Sequence, residues 1–308
     1  KRIRTVIQLL SWDNITCKGR FPVLAHSYIS WGPIMTEELQ EYLLVNKKDI
    51  YTTGVPHFDV HRLIAENRDS HQHIVRLGLD PVKPYIFFAM SSPYFAPREI
   101  EIIEKIAYWV NEGSFGDIQF IIRPHPQNVQ GNMADRTWLP RLKNLNNSSV
   151  AVDFPQVNDS KIPWSMQLND MYKLGNLIGG ASVVLNTCST ISIDSLFYNV
   201  PIIVTAFDND EKLPWWQSAR RNMDYEHFAK LLQTKALNRV NNYQELFLAI
   251  RNYIANPETD SEYRKIALHQ ECRIDDNVSA TTSVVHNLEE ILKLYFSNES
   301  NADFTVTL

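Results

Sequence analysis

The sequence predicts an α/β protein whose strands run parallel. Short apolar runs, long enough for buried strands and too short for helices, alternate with helical patterns along the whole chain. Neither internal repeats nor low-complexity tracts interrupt the alternation. Alternation of this kind is typical of proteins in which helices connect parallel strands.

The first part of the chain contains three short strand patterns and one helix. The predicted elements are strands at 4–10, 27–31 and 49–53 and a helix at 36–45. The polar stretch 61–82 that follows is typical of a partly helical linker. The chain begins with lysine directly before a strand pattern, and we therefore expect it to be part of a longer polypeptide with earlier strands.

A second unit opens at Pro84 and repeats the strand–helix alternation. Its predicted strands are 85–90, 117–122, 150–152, 181–185 and 202–204, and its helices include 98–111, 135–146, 224–235 and 243–255, with a further helix at 283–297 after it. This order predicts a Rossmann-like domain, in which ligands bind outside the carboxyl ends of the strands. The predicted division is a first domain at 1–62, a linker at 63–82, a second domain at 83–280 and a C-terminal helix and tail at 281–308, the helix packing back on the first domain.

The stretch 170–208 carries the clearest signal for a binding site. It predicts helix, strand, tight loop, helix and strand, with Ser189 or Thr190 as the N-cap of the second helix. A strand end that feeds hydroxyl side chains into a helix start is a ready anion site. We expect a phosphate or diphosphate there, and the alternative is a plain helix cap.

Other polar residues follow neighbouring strands and converge on the same edge of the sheet. Ser91 and Ser92 come after one predicted strand, and the sequence Arg-Pro-His-Pro at 123–126 comes after another. The two prolines restrict the backbone on both sides of His125, and Arg123 adds a permanent charge. Both side chains are candidate phosphate contacts, and the alternative is a histidine that bonds loop carbonyls.

Two further candidates lie outside this group. Asp13 follows the first strand and is a candidate general base, although Asp-Asn at this point is also ordinary turn chemistry. Trp164 follows the third strand of the second unit, where a base or sugar could stack on it. The alternative for Trp164 is an ordinary, partly buried tryptophan.

Composition excludes several classes of protein. A net charge of −5 argues against a nucleic-acid binder. Three widely spaced cysteines fit neither a disulfide framework nor a zinc site, which indicates a reducing compartment, and no His/Cys cluster has metal spacing. No signal peptide and no membrane-length apolar run is present, and the sequence lacks GxGxxG and Walker A patterns.

These residues resemble GT-B-type glycosyltransferases, in the superfamily that includes UDP-GlcNAc 2-epimerases and CDP-glycerol glycerophosphotransferases. The matching segments are residues 52–59 (TTGVPHFD), 123–126 (RPHP), 186–194 (NTCSTISID) and 201–203 (PII). Residues 11–14 (SWDN) also resemble a segment of bacterial surface-polysaccharide transferases. The resemblance implies two Rossmann-like domains, with parallel sheets and the donor nucleotide on the second. It also implies that residues 1–55 are the later part of the acceptor domain.

The resemblance also implies roles for particular residues. His125, Ser189 and Thr190 would contact donor phosphate, and Asp194 would stand where many relatives have the glutamate that binds ribose. The glycerophosphotransferase pattern Thr-Asp-Tyr-Ser-Ser is replaced here by Asn-Thr-Cys-Ser-Thr at 186–190, which favours transfer of a sugar over transfer of a polyol phosphate.

The expected function is therefore metal-independent transfer of a sugar from a CMP-, CDP- or UDP-linked donor, without a cofactor. The acceptor would be a saccharide or lipid-linked molecule of capsule or lipopolysaccharide synthesis, made in the cytoplasm or at the inner face of the cell membrane. Three alternatives stay open: a CDP-glycerol-type polyol-phosphate transferase, a nucleotide-sugar epimerase, and a non-catalytic nucleotide-binding module of a larger chain.

Overall fold

The chain forms two compact units. The computed structural model describes residues 4–19, 21–129, 135, 137–158, 166–275 and 277–300. One unit contains the residues up to Asp59 together with those from His269 onward, and the other contains Val60–Leu268. The sequence predicts domain boundaries at 62 and 280, with the C-terminal helix packed on the first domain.

Both units contain strands and helices in alternation. The strands are β1 (Val6–Gln8), β2 (Ser27–Ser30), β3 (Ile50–Thr52), β4 (Tyr85–Ala89), β5 (Gln119–Arg123), β6 (Val150–Val152), β7 (Val183–Asn186), β8 (Ile202–Thr205) and β9 (Asn238–Val240). The helices are α1 (Pro33–Leu43), α2 (Asp59–Glu66), α3 (His71–Arg76), α4 (Glu99–Asn111), α5 (Pro126–Val129), α6 (Trp138–Asn144), α7 (Leu168–Gly180), α8 (Ile191–Leu196), α9 (Glu226–Gln233), α10 (Tyr243–Ala255), α11 (Ser261–Glu271) and α12 (Ala280–Ser300). Short 3-10 helices lie at Lys47–Asp49, Pro56–Phe58 and Ala219–Asp224.

The first unit contains a parallel three-stranded sheet in the order β1-β2-β3. The central strand β2 is buried along its whole length, as expected for a strand that is paired on both sides. Tyr28 lies opposite Ile7 on one neighbour and Ile50 on the other. The small sheet is thus a continuous parallel ladder.

The C-terminal segment of the chain completes this first unit. The indole Nε1 of Trp12 donates to Glu271 Oε2 at 3.0 Å, and the Arg273 amide donates to the Trp31 carbonyl at 2.8 Å. A Cβ at Gly32 would collide with the carbonyl of Glu271, so only glycine permits this close approach of two backbones.

Asp59 fixes the start of the last helix. Its carboxylate accepts hydrogen bonds from the amides of Ala280 at 2.8 Å and Thr281 at 2.9 Å, which are otherwise unsatisfied groups at the first turn of α12. A negative charge at a helix N-terminus is also favoured by the helix dipole. Asp59 therefore caps α12.

The second unit contains a parallel six-stranded sheet in the order β6-β5-β4-β7-β8-β9. Alternate residues of β4 enter two different cores: Ile86 and Phe88 pack with α4 and α10, whereas Phe87 packs with α7 on the opposite face. All three side chains are 0% exposed. Burying each large apolar side chain contributes roughly 1.5–3 kcal/mol, and helices on both faces explain why these strands are apolar throughout.

The expected fold class is confirmed, with two corrections to its elements. The sequence did not predict the edge strand β9, because it is short and partly polar, and it did not predict α11. The stretch 63–82 is partly helical, as expected: it contains the end of α2 and the whole of α3. Ile74 of α3 is 2% exposed and packs in the core beside α7.

Candidate functional site

The strand order of the second unit identifies one position in the sheet where a ligand is expected. From β4 the chain proceeds outward through β5 and β6, then returns to β7 and proceeds outward through β8 and β9 on the other side. The loops that follow β4 and β7 therefore diverge and leave a crevice outside the carboxyl ends of these strands. This reversal point is flanked by Ser91 and Ser92 on one side and by residues 187–190 on the other.

Ser91 and Ser92 lie in a buried, firmly held loop. They are 4% and 3% exposed. The Ser91 amide donates to Glu99 Oε2 at 2.7 Å, and its carbonyl accepts from Asn128 Nδ2 at 3.3 Å. Ser92 Oγ has no hydrogen-bond partner among the described residues. A buried hydroxyl without a partner is uncommon and is expected where a ligand supplies the missing bond.

The same loop is also held by two side chains that follow β8. Arg221 Nη2 donates to the Tyr94 carbonyl at 2.7 Å, and Asn222 Nδ2 donates to the Phe95 carbonyl at 2.8 Å. These two donors lie in the 3-10 helix at Ala219–Asp224, which follows β8 in the chain. The loop after β4 is thus fixed by side chains from several elements before any ligand binds.

His125 is held in one protonation state and one tautomer. Burial lowers the pKa of His125 to about 4, so the ring is neutral at pH 7. Its Nδ1 accepts from the amide of Gln127 at 3.1 Å. A neutral imidazole whose Nδ1 is an acceptor carries its proton on Nε2. His125 therefore presents a neutral N–H donor.

Arg123 occupies a different place from the one expected. Its side chain is 4% exposed and its guanidinium bonds two buried carboxylates: Nη1 lies 2.5 Å from Asp153 Oδ2, and Nη2 pairs with Asp170 Oδ2. Lys173 Nζ adds contacts of 2.6 Å to Asp153 and 2.9 Å to Asp170. The cation is already neutralised inside the domain, and we therefore omit it from the proposed phosphate contacts.

The electrostatics of this cluster are balanced. Burial alone would raise the pKa of Asp170, but the hydrogen bond and the charge of Arg123, with those of Lys173, hold this pKa below its ordinary value. Arg123 ends β5 and lies two residues before His125. The cluster thus anchors the strand end from which the histidine loop leaves.

Ser189 and Thr190 lie at the loop between β7 and α8. Thr190 is the residue before the helix, but its side chain makes no capping bond, and it is exposed. Ser189 Oγ accepts from the Ile191 amide at 3.3 Å, and the Ser189 carbonyl accepts from the Ser192 amide at 3.0 Å. The first amides of this short helix are therefore bonded locally, and the two hydroxyls are the groups left for a phosphate.

Asp194 takes part in a contact between helices. Its Oδ1 lies 2.6 Å from His61 Nε2, and the other ring nitrogen of His61 lies 2.8 Å from the Tyr198 hydroxyl. The Asp194 side chain is 13% exposed. One oxygen of this carboxylate is thus bonded inside the unit, and the expected ribose contact of Asp194 stays a prediction.

The two remaining candidates lie elsewhere. Asp13 belongs to the first unit. Its Oδ1 accepts from Ser11 Oγ and lies 2.9 Å from Lys18 Nζ, and one third of the Asp13 side chain is exposed. Trp164 lies outside the described residues. Its expected stacking role stays a prediction.

Sequence reasoning missed the residues that hold the loop after β4. Glu99 had a visible signal: it lies four and seven residues before Ile103 and Ile106, on the buried face of α4. A carboxylate on an apolar helix face predicts a buried polar contact. Asn128 and Asn222 carry no such signal, because each is a single amide in a polar stretch.

Within the described part of the chain, no group of three or more His, Cys, Asp or Glu side chains is arranged to hold a metal ion. No helix among those residues has both the length and the apolar character needed to cross a membrane.

Comparison with known proteins gives similarity of structure alone. No family model matches the sequence. No curated protein matches it either. Among solved structures, the chain is similar to the wall teichoic acid polymerase TagF, with 15% identity over 87% of this chain and 59% of TagF and a TM-score of 0.54.

Two further solved structures are similar to an equal degree. The S. aureus protein MnaA, solved with UDP, matches at 12% identity over 88% of this chain and 61% of its own, with a TM-score of 0.56. A UDP-N-acetylglucosamine 2-epimerase matches at 12% identity over 89% and 58%, with a TM-score of 0.54. This chain thus spans about three fifths of the length of these proteins. The expected resemblance is confirmed at the level of the fold: the chain has an α/β architecture like that of these solved structures, with two parallel sheets.

Proposed function

We propose that this chain is the nucleotide-binding part of a metal-independent glycosyltransferase, and that its second unit holds a nucleotide-linked sugar donor. The observation that carries the proposal is the reversal point between β4 and β7, with hydroxyl side chains on both flanking loops. The solved neighbours include proteins bound to UDP or soaked with CDP-glycerol, which supports a nucleotide-linked donor.

The proposed chemistry stabilises a leaving diphosphate. As the glycosidic bond breaks, negative charge grows on the phosphate oxygen that leaves. A neutral N–H donor at His125 and hydroxyl donors at Ser92, Ser189 and Thr190 would gain strength with that charge, which lowers the barrier more than it strengthens donor binding. Asp13 is the proposed base that activates the acceptor, and the acceptor is a saccharide or a lipid-linked sugar of surface-polysaccharide synthesis.

A panel of nucleotides tests whether the second unit binds a donor. We expect one or more of UDP, GDP, dTDP, CDP and CMP to raise the melting temperature of the protein, because a ligand that binds only the native state stabilises it. At a hundredfold excess over Kd the gain is about 2.7 kcal/mol. Absence of a shift with all five compounds would contradict the proposal.

Product analysis then separates glycosyl transfer from its alternatives. The UDP-N-acetylglucosamine 2-epimerase neighbour favours a second candidate function, sugar epimerisation, which needs no acceptor. Turnover of a nucleotide sugar in acceptor-free buffer, with the nucleotide still attached, would identify an epimerase. The TagF neighbour favours a polyol-phosphate transferase, and release of CMP from CDP-glycerol would identify that activity.

Removal of the two loop hydroxyls tests the phosphate assignment. The double variant Ser189→Ala/Thr190→Ala is expected to lose roughly 1.5–3 kcal/mol of nucleotide binding without unfolding, because charge-assisted hydrogen bonds to phosphate disappear. Calorimetry with the nucleotide selected by the panel measures the change.

Ser182→Ala provides a matched control for this variant. It removes a hydroxyl of similar burial from the amino end of the same strand, β7, far from the carboxyl edge. We expect its affinity to equal that of the wild type. Equal affinity in the Ser189/Thr190 variant as well would remove these residues from the site.

A further inference from the structure

One buried carboxyl group connects the two loops at the reversal point. Glu99, the first residue of α4, is 1% exposed. Its Oε2 accepts from the Ser91 amide at 2.7 Å, after β4, and its Oε1 accepts from Thr187 Oγ1 at 2.6 Å, after β7. The Thr187 hydroxyl lies 3.0 Å from Thr205 Oγ1 at the end of β8. The bridge therefore extends across the carboxyl ends of three neighbouring strands.

Burying this carboxyl group costs free energy, because it loses its contact with water. No cation pairs with Glu99 among the described residues, and burial raises its pKa to about 7. Charged side chains on the surrounding elements bond other groups: Arg98 lies 2.8 Å from Glu211, and Arg141 bonds Glu101 and Glu104. An unpaired buried carboxyl group destabilises a fold, so its presence calls for a role beyond packing.

We propose that Glu99 is a positioning residue of the donor site, which holds the Ser91-Ser92 loop and the 187–190 loop at the spacing that one diphosphate requires. The inference rests on the proposed function. Glu99 acts through both loops rather than by contact with the donor. It fixes one loop by a main-chain amide and the other by a side-chain hydroxyl, so the hydroxyls of Ser92 and Ser189 are arranged before the donor arrives.

Charge gives this arrangement a measurable signature. An ionised Glu99 repels a bound diphosphate, whereas a protonated Glu99 does not. Donor binding therefore favours the protonated form and takes up a proton from solvent near pH 7. His125 does not contribute to this change, because its pKa of about 4 leaves it neutral from about pH 6 upward.

Calorimetry on the full chain tests the inference with two probes, CDP-glycerol and UDP-N-acetylglucosamine. Their phosphates are esterified and keep their charge between about pH 6 and about pH 8. We expect the wild type to bind about tenfold more weakly at the higher pH, because Glu99 must then be protonated on binding. The Glu99→Gln variant, which resembles the protonated side chain, should bind equally well at both values.

Further variants separate positioning from folding. Glu99→Ala is expected to bind roughly tenfold to a hundredfold more weakly at both pH values, because both loops lose their shared partner. Thr187→Val removes the other end of the bridge and should weaken binding in the same way, with no added loss in the double variant. Glu112→Gln removes an exposed carboxyl group at the end of the same helix and should behave as the wild type.

The possible failures are distinct. A wild type that binds neither probe overturns the proposed function, and this inference with it. A wild type that binds, combined with a Glu99→Gln variant that keeps the tenfold pH dependence, overturns the role of Glu99 and leaves the proposed function standing. Folded Glu99→Ala with wild-type affinity has the same consequence, and if Glu99→Ala does not fold, the Glu99→Gln profile decides.

Discussion

Replacing Arg123 with alanine is expected to destabilise the protein by about 3–5 kcal/mol and to lower the melting temperature by roughly 10 °C. The reason is that Asp153 and Asp170, which are 2% and 1% exposed, would lose the guanidinium that compensates their charge. Among the described residues, Lys173 would remain as the single cation that pairs with these two buried carboxylates. Thermal and denaturant unfolding of the two proteins measure the difference.

Arg141→Ala is the matched control for this large effect. Arg141 also bonds two carboxylates, Glu101 and Glu104, but its side chain is 34% exposed. Exposed ion pairs contribute about 1 kcal/mol or less, so this variant should unfold close to the wild type. An equal loss in both variants would contradict the assignment of Arg123 to a buried anchor. Adding Asp170→Asn to Arg123→Ala should recover part of the stability, because one of the uncompensated charges is removed.

The His125→Ala variant is expected to lose about a hundredfold or more in kcat while its nucleotide affinity changes little. A donor that meets charge only as it develops affects the rate rather than ground-state binding. Single-turnover rates per folded molecule are the measurement. His71→Ala, which removes an exposed imidazole from the same unit, is the control and should keep the wild-type rate.

The pH profile shows which form of His125 acts. With a pKa lowered to about 4 by burial, the ring is neutral at physiological pH, and a contribution from the neutral N–H is expected to stay constant from about pH 6 upward. If the imidazolium were the active form, the rate would instead rise steeply as the pH falls toward about 4. A near-wild-type kcat in folded His125→Ala would remove the residue from the site altogether.

Local sequence patterns were sufficient to predict most of the second unit. Strands such as β4, β5 and β7 are short apolar runs flanked by helical patterns, and burial on both faces is what makes them continuous in sequence. The edge strand β9 lacks this property, because one of its three residues is exposed and one is half-buried. A strand with one covered side carries a weaker signal, and tertiary pairing with β8 decides its state.

The positions of the candidate residues at strand ends were predictable from the sequence, but the bonds that their side chains make were not. The positions of Ser91, His125 and Ser189 follow from where strands end. The partners of Arg123 come from residues 30 and 47 positions further along the chain, and the partner of Asp194 lies 133 positions earlier. No local pattern specifies such pairs. A charged side chain after a strand is therefore equally consistent with a ligand contact and with an internal ion pair until the fold is known.

The division of the first unit between two distant segments has a consequence for the order of events during synthesis. The second unit is continuous in sequence, and all of its residues are synthesised before His269 is added. The first unit cannot form its contacts between Trp12 and Glu271, or between Asp59 and α12, until that later segment emerges. Domains usually fold in the order in which they are synthesised. Here the first unit contains both the earlier and the later segment. Its apolar residues therefore stay without their C-terminal contacts while the second unit can already fold.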